Sequence, residues 1–170
     1  TDFVADRVRR WLMDVVGVSG DTADAVMAVG WSNLPNAVAR AEALERVREA
    51  DSFRSLALAF KRVRNITEDQ PDGNVDPGLF EQPEERELHE ATEVFHGALE
   101  ELLPERRVVE AFKAMEPLAD VLERFFVEVL VMSEDEKVRA NRVALLKNLG
   151  RNFSELADLS KLQVEGGGYE

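Results

Sequence analysis

At 170 residues the chain is long enough for one full domain with a core of its own. Its 45% hydrophobic and 32% charged content is ordinary for a globular protein, the absence of cysteine excludes disulfides and thiolate metal sites, and no apolar run is long enough to span a membrane. A formal net charge of −13 argues against a general nucleic-acid binder and leaves room only for a local basic surface. Nearly every segment that follows has helical period, and none alternates as a strand would.

Phe3, Val4, Val8, Trp11, Leu12 and Val15 start a first helix that ends near Gly17, with Trp11 expected in the core. Asp21 is placed to cap a short helix running to Val29 and stopped by Gly30. Trp31 follows in a turn, where it either plugs a bundle end or stacks on a base. Pro35 suits the first turn of a third helix, continued by Ala39, Ala43, Leu44 and Val47. Phe53, Leu56, Phe60 and Val63 make a fourth apolar stripe, and Pro71, Asp72-Gly73, Asn74, Pro77 and Gly78 mark a loop. Pro83 opens a long acidic helix with Leu88, Ala91, Phe95, Leu99 and Leu102 inward, broken by Pro104. Two more helices are expected over Val108 to Met115 and Leu118 to Val131. Ser133 and Glu136 fit an S-x-x-E capping box, after which Val138, Leu145, Leu146, Leu149, Phe153, Leu156 and Ala157 form the stripe of a final helix. The expected fold class is all-α, a single bundle of about seven to eight helices over residues 1–164, with a flexible Gly-rich tail at 165–170. Thr1 is not a start methionine and no signal-peptide pattern follows it, so the chain is expected to be a piece of something larger.

Charge is unevenly placed along this pattern. From Glu68 to Glu105 there are thirteen acids and one base, Arg86. From Ser52 to Thr67 there are four bases (Arg54, Lys61, Arg62 and Arg64) and no acid, and Lys137 to Ser154 adds five more (Lys137, Arg139, Arg142, Lys147 and Arg151) without one. Such patterning allows a narrow basic surface beside an acidic one.

The final stretch, VLVMSEDEKVRANRVALLKNLGRNFSELADLSKLQ from Val129 to Gln163, resembles the carboxyl end of the β subunit of bacterial glycyl-tRNA synthetase. The resemblance rests on Val131, Met132, Glu134, Asp135, Arg139, Asn141, Arg142, Val143, Ala144, Leu145 and Leu146, then on Ala157, Asp158, Ser160, Leu162 and Gln163. Two further blocks are similar to that family: Phe60-Lys61-Arg62-Val63-Arg64-Asn65-Ile66 to its K-R-V-R-N-I, and Val75-Asp76-Pro77 with Leu79-Phe80 to its V-D-P-x-L-F. The resemblance implies a helical, DALR-like anticodon-binding domain. It further implies a cytoplasmic parent ligase that joins glycine to tRNA-Gly with ATP and Mg2+ at an active site in the α subunit or α portion, the β portion gripping tRNA. This segment would have no chemistry and no cofactor of its own. The chain departs from the family where basic residues are common, at Gly150 and Glu155 and soon after Ile66.

Two groups of side chains are candidates for tRNA contact. On a helix Lys61 and Asn65 share a face away from Phe60 and Val63; Lys suits a phosphate, Asn a base edge, and Arg62 or Arg64 a stack on an unpaired base. The bland alternative is a solvated basic face paired to the acidic helix at 84–101. Arg139, Asn141, Arg142 and Lys147 form the second group. Arg142 lies beside the apolar stripe, so it either contacts tRNA or ties the last helix to a neighbouring acid; Arg139 and Lys147 are expected free for phosphate. Arg7, Arg9 and Arg10 make a smaller basic cluster. His89 and His96 lack the H-E-x-x-H spacing of a zinc site and are expected at the surface or boundary. The acidic run from Glu81 to Glu101 lacks EF-hand ligand spacing. Asn65-Ile66-Thr67 and Asn152-Phe153-Ser154 match glycosylation triplets by chance. No phosphate-cradling glycine loop or nucleophile motif is present. The rival class is a protein-interaction module docking other synthetase domains or subunits, in which case the basic residues would pair with acids such as Glu85, Glu87 and Glu93.

Overall fold

A computed structural model describes residues 2–164. Among these residues all regular structure is helical, in the order α1 (Phe3–Trp11), α2 (Gly20–Met27), α3 (Leu34–Val47), α4 (Asp51–Thr67), α5 (Pro83–Leu102), α6 (Val108–Lys113), α7 (Pro117–Glu128) and α8 (Glu136–Phe153). The all-α expectation holds. A single π-type turn, Leu12–Val16, continues α1, and short 3-10 turns occupy Pro77–Leu79 and Leu159–Lys161. The tail expected over 165–170 lies outside the described residues.

Helices α4, α5, α7 and α8 form the part of the fold that positions the site. Both α4 and α5 pack against α7 and against α8, so the basic helix and the acidic helix take opposite corners of a four-helix arrangement. Phe153 of α8 joins the two corners, with ring centroids 5.0 Å from Phe60 of α4 and 5.5 Å from Phe95 of α5. Helix α8 is buried on more than one side. Val138, Val143, Ala144, Leu145, Leu146 and Leu149 are inside, and so are Asn141, Arg142 and Asn152. The remaining elements form a second layer, in which α3 packs on α2 and α6, and the 3-10 turn at Leu159–Lys161 packs on α2 and α4.

Gly150 interrupts α8 where α4 comes close. An added Cβ would lie 3.7 Å from Phe60 Cζ, an ordinary contact, and the position is helical. Glycine costs a helix interior about 1 kcal/mol relative to alanine. Gly150→Ala should therefore raise stability by about 0.5–1 kcal/mol, read as a higher urea midpoint with unchanged slope.

Four sequence expectations are corrected. The final helix is capped by Asp135, whose carboxylate accepts from the N–H of Lys137 at 2.9 Å and of Val138 at 3.2 Å. The Ser133 hydroxyl accepts only from the N–H of Asp135, so the S-x-x-E box does not form. A carboxylate at the positive end of a helix is the stronger cap. Asp21 is in the first turn of α2, after Ser19 at the cap position. Its carboxylate meets Arg48 at 2.7 Å and the N–H of Gln163 at 2.8 Å. The hydrogen bonds from Arg48 hold it down to about pKa 2. Trp11, expected in the core, is 39% exposed, because α1 buries no residue and only Leu12 of its predicted stripe goes inside. The last helix stops at Phe153, and Leu156 and Ala157 reach the core from the turn beyond it. Trp31 packs against the core, partly buried.

Candidate nucleic-acid interface

The carboxyl half of α4 and that of α8 run side by side and leave between them a groove of about 360 Å³. Its floor is apolar, made by Phe60, Val63 and Leu146, with Gly150 leaving it open. Its rim carries Arg64 from α4 and Lys147 and Arg151 from α8, against Glu68 and Asp72. Lys147 and Arg151 are one helical turn apart and so project from the same face. Two of the predicted residues, Arg64 and Lys147, thus meet at one site although they belong to different basic windows. Arg151 joins them. Its i+4 relation to Lys147 is the signal in the sequence that places it there.

The residues differ in how free they are. Arg64 is exposed and has only a 3.9 Å approach to Asp158. Asn65 is exposed, and Lys61, one turn before Arg64, is half-buried; neither has a side-chain hydrogen bond or ion pair among the described residues. Arg62 points the other way, with its guanidinium carbon 4.4 Å from the ring centre of Phe126 on α7. Lys147 Nζ donates to the carbonyl of Gln70 and to Asp72 Oδ1, the latter at 3.0 Å. Arg139, at the other end of α8, donates to the carbonyl of Ser133 at 3.0 Å. It stands eight residues, about 12 Å, from Lys147 along the helix, and it does not line the groove.

Asn141 and Arg142, counted as tRNA contacts in the sequence, face inward. Asn141 accepts from the N–H of Asp76 at 2.7 Å and donates to its carbonyl at 2.9 Å, pinning the loop after α4 to α8. Arg142 is 4% exposed and spends its donors on Glu85 at 2.9 Å, Glu81 at 3.1 Å and the Leu130 carbonyl at 2.8 Å. Burial pushes the Glu85 carboxyl up, but Arg142 and the N–H groups of Gln82 and Glu81 outweigh it, and the net direction is down. Arg142 therefore ties α8 to the start of α5, the structural alternative weighed above.

None of Lys61, Arg64, Arg139 and Lys147 pairs with an acid of α5 among the described residues; there Glu85 serves Arg142 and Glu87 serves Arg124. The histidines stay at the boundary. His96 meets Asn152 at 2.8 Å and Glu100 at 3.2 Å, and His89 packs edge-on against Phe80. No helix among the described residues is long and apolar enough to cross a membrane.

The closing A-D-x-S-x-L-Q block also has a physical account. Asp158 caps the last 3-10 turn, accepting from the Ser160 N–H at 3.0 Å and hydroxyl at 2.6 Å, while Leu162 is buried and the Gln163 N–H reaches Asp21. Arg40, missed in the sequence, is buried beneath it and donates to the carbonyls of Val26, Gly30 and Leu156.

The sequence profile described as "DALR anticodon binding domain" matches residues 56–163, from the middle of α4 through this terminal staple. The chain belongs to the DALR anticodon-binding domain family. It is also similar to proteins named glycine–tRNA ligase beta subunit. That of Acidobacterium capsulatum is 35% identical over 170 residues, 94% of this chain and 24% of the relative. That of Citrifermentans bemidjiense is 41% identical over 142 residues, 84% of this chain and 21% of the relative. That of Anaeromyxobacter dehalogenans is 38% identical over 171 residues, 96% of this chain and 24% of the relative. The chain thus spans 21–24% of the length of these relatives. Both edges of the groove, with Arg64, Lys147 and Arg151, fall inside the residues matched to the DALR family.

Proposed function

We propose that this chain, as one unit over residues 1–164, is the anticodon-binding part of a cytoplasmic glycyl-tRNA synthetase β subunit. The anticodon arm of tRNA-Gly lies along the exposed ridge of α4 and the groove it shares with α8. The observation that carries this reading is the convergence of Arg64, Lys147 and Arg151 on one groove inside the DALR-matched region of a chain that is otherwise strongly acidic. Arg64, Lys147 and Arg151 supply charge to phosphates; Lys61 and Asn65, free on α4, supply a further cation and a donor–acceptor pair for an unpaired base edge. Asn141 and Arg142 hold the loop and α5 in place and drop out of the contact set, and Arg62 and Arg139 stand outside the groove. The work is positional: binding energy at the anticodon holds the distant acceptor end for reaction. Aminoacylation with ATP and Mg2+ belongs to the α subunit or α portion, and no residue of this chain is assigned to either.

Binding of this chain to tRNA-Gly, compared with the same tRNA mutated in its anticodon across a salt series, tests the reading. Preference for the glycine anticodon supports it, and equal binding of both removes it. In the assembled ligase, Arg64→Ala or Asn65→Ala should raise the KM for tRNA roughly 5–30-fold, the weight of one charge-assisted or base-edge hydrogen bond. ATP-dependent glycine activation should stay nearly unchanged; an equal fall in activation would contradict the assignment. A second role, docking other synthetase domains, is favoured by one feature: the apolar side of α1 and of the π-type turn that continues it, where Phe3 is 69%, Val4 56% and Val15 69% exposed.

A further inference from the structure

The loop between α4 and the turn at Pro77 stands over the cation that an RNA phosphate would need. It is fastened at its far end by Asn141, which holds both backbone groups of Asp76. Between these points residues 71–74 are exposed. What holds this stretch down is Lys147, through the Gln70 carbonyl and the Asp72 carboxylate. The two partners are unequal: the Lys147 side chain is 17% exposed, that of Asp72 83%. The carboxylate therefore sits at the solvent boundary and can leave without opening the core. Arg151 stands on the same rim with no ion pair among the described residues, and Arg64 faces it across the groove. Lys147, by its hydrogen bond, and Arg151, by its charge, hold the Asp72 carboxyl below its ordinary range.

We propose that Asp72 stands in for an RNA phosphate: it occupies Lys147 in the free protein, and a phosphodiester of an unpaired anticodon-loop nucleotide displaces it and takes Lys147 together with Arg151. This deepens the anticodon-binding reading and rests on it. The exchange is anion for anion, so Lys147 is paired before and after and the core keeps its contacts. An ion pair whose carboxylate is open to solvent holds weakly and is screened by salt. A phosphate in an RNA backbone brings neighbouring phosphates with it and releases condensed counterions as it binds. The acidic loop thus rejects weak, isolated anions and yields to a polyanion that also satisfies Arg64 and Arg151. A chain of this net charge gains selectivity from such a gate, because RNA that reaches only one of the three cations does not displace Asp72.

The test is the affinity of an anticodon stem-loop RNA carrying a glycine anticodon, measured by fluorescence anisotropy over a potassium chloride series. Asp72→Asn should bind roughly two- to fivefold tighter at low salt, with a steeper dependence of log K on log salt, since Lys147 then starts unpaired. Asp72→Glu should behave as the parent chain. Asp14→Asn, at another exposed acid that does not line the groove, should leave both quantities nearly unchanged. Lys147→Gln should weaken binding and abolish the gain in the Asp72→Asn background. If Lys147→Gln weakens binding while Asp72→Asn changes nothing, the cation is a contact but the loop is no competitor, and the proposal is wrong. If Asp72→Asn and Asp14→Asn help equally, net charge explains the gain and the proposal is equally wrong. If no variant binds the RNA even at low salt, the anticodon reading falls and this inference with it.

Discussion

Replacing Arg142 by Met should destabilise the fold by about 3–5 kcal/mol, the cost of leaving one partner of a buried ion pair alone. Glu85 has no exposed surface and Arg142 is 4% exposed. Met fills much of the volume of the Arg stem, so the loss comes from charge and hydrogen bonding. It would strand Glu85 and free the Leu130 carbonyl and Glu81 together. The dependence on pH gives the effect a signature. In the parent protein the folded-state pKa of Glu85 is lowered from its ordinary 4.5. Its contribution is then present above that value and lost as pH falls through the folded pKa. Without Arg142 only two backbone N–H groups oppose the burial that pushes Glu85 up, and the expected result is a folded pKa above the unfolded one. The contribution then reverses: stability is retained in acid and lost as pH rises. The deficit of Arg142→Met, from urea unfolding, should therefore be larger at pH 8 than at pH 5. Adding Glu85→Gln should recover part of it at pH 8. A deficit independent of pH, unmoved by Glu85→Gln, would mean that packing rather than charge explains the loss.

The same pair shows what was legible in the sequence. That Arg142 lies beside an apolar stripe follows from its i−4 relation to Leu146, and from that the need for a partner. Which partner did not follow, because Glu85 is 57 residues away and only the packing of α5 on α8 brings them together. Local periodicity placed the helices well, since it reports burial within one element. It failed on α1, whose stripe has helical spacing but almost no neighbour to bury it: period shows that a helix is two-faced and cannot say what covers the second face. Asn141 faces inward for a related reason. Its amide suits a base edge, but it suits a peptide group equally, and in the fold the peptide of Asp76 is there first. The basic groove was half visible. Each acid-free window stands out in an acidic chain, but the two windows meet only through the packing of α4 on α8.

Changing Arg64, Lys147 and Arg151 together to Gln should cost the chain roughly a hundredfold in affinity for the glycine anticodon stem-loop at low salt, while its unfolding midpoint moves little. The two outcomes separate because of where the charges are. Arg64 and Arg151 are exposed, Lys147 is tied only to a loop, and glutamine keeps much of each stem. The two exposed charges contribute at most about 1 kcal/mol each to folding, and Lys147, half-buried, fastens a surface loop and no core element. In RNA binding each removes a phosphate contact and the counterion release that accompanies it. For single strands the slope of log K against log salt changes by about 0.7 per phosphate, so the triple variant should be shallower by about 2. Arg10, Arg106 and Lys113, exposed and outside the groove, give the matched control: changed together to Gln they remove the same charge but should leave the slope nearly intact. If both triples weaken binding alike and flatten the slope alike, the RNA responds to overall charge and not to the groove. The basic residues of α4 and α8 would then be better explained as part of a protein-docking face.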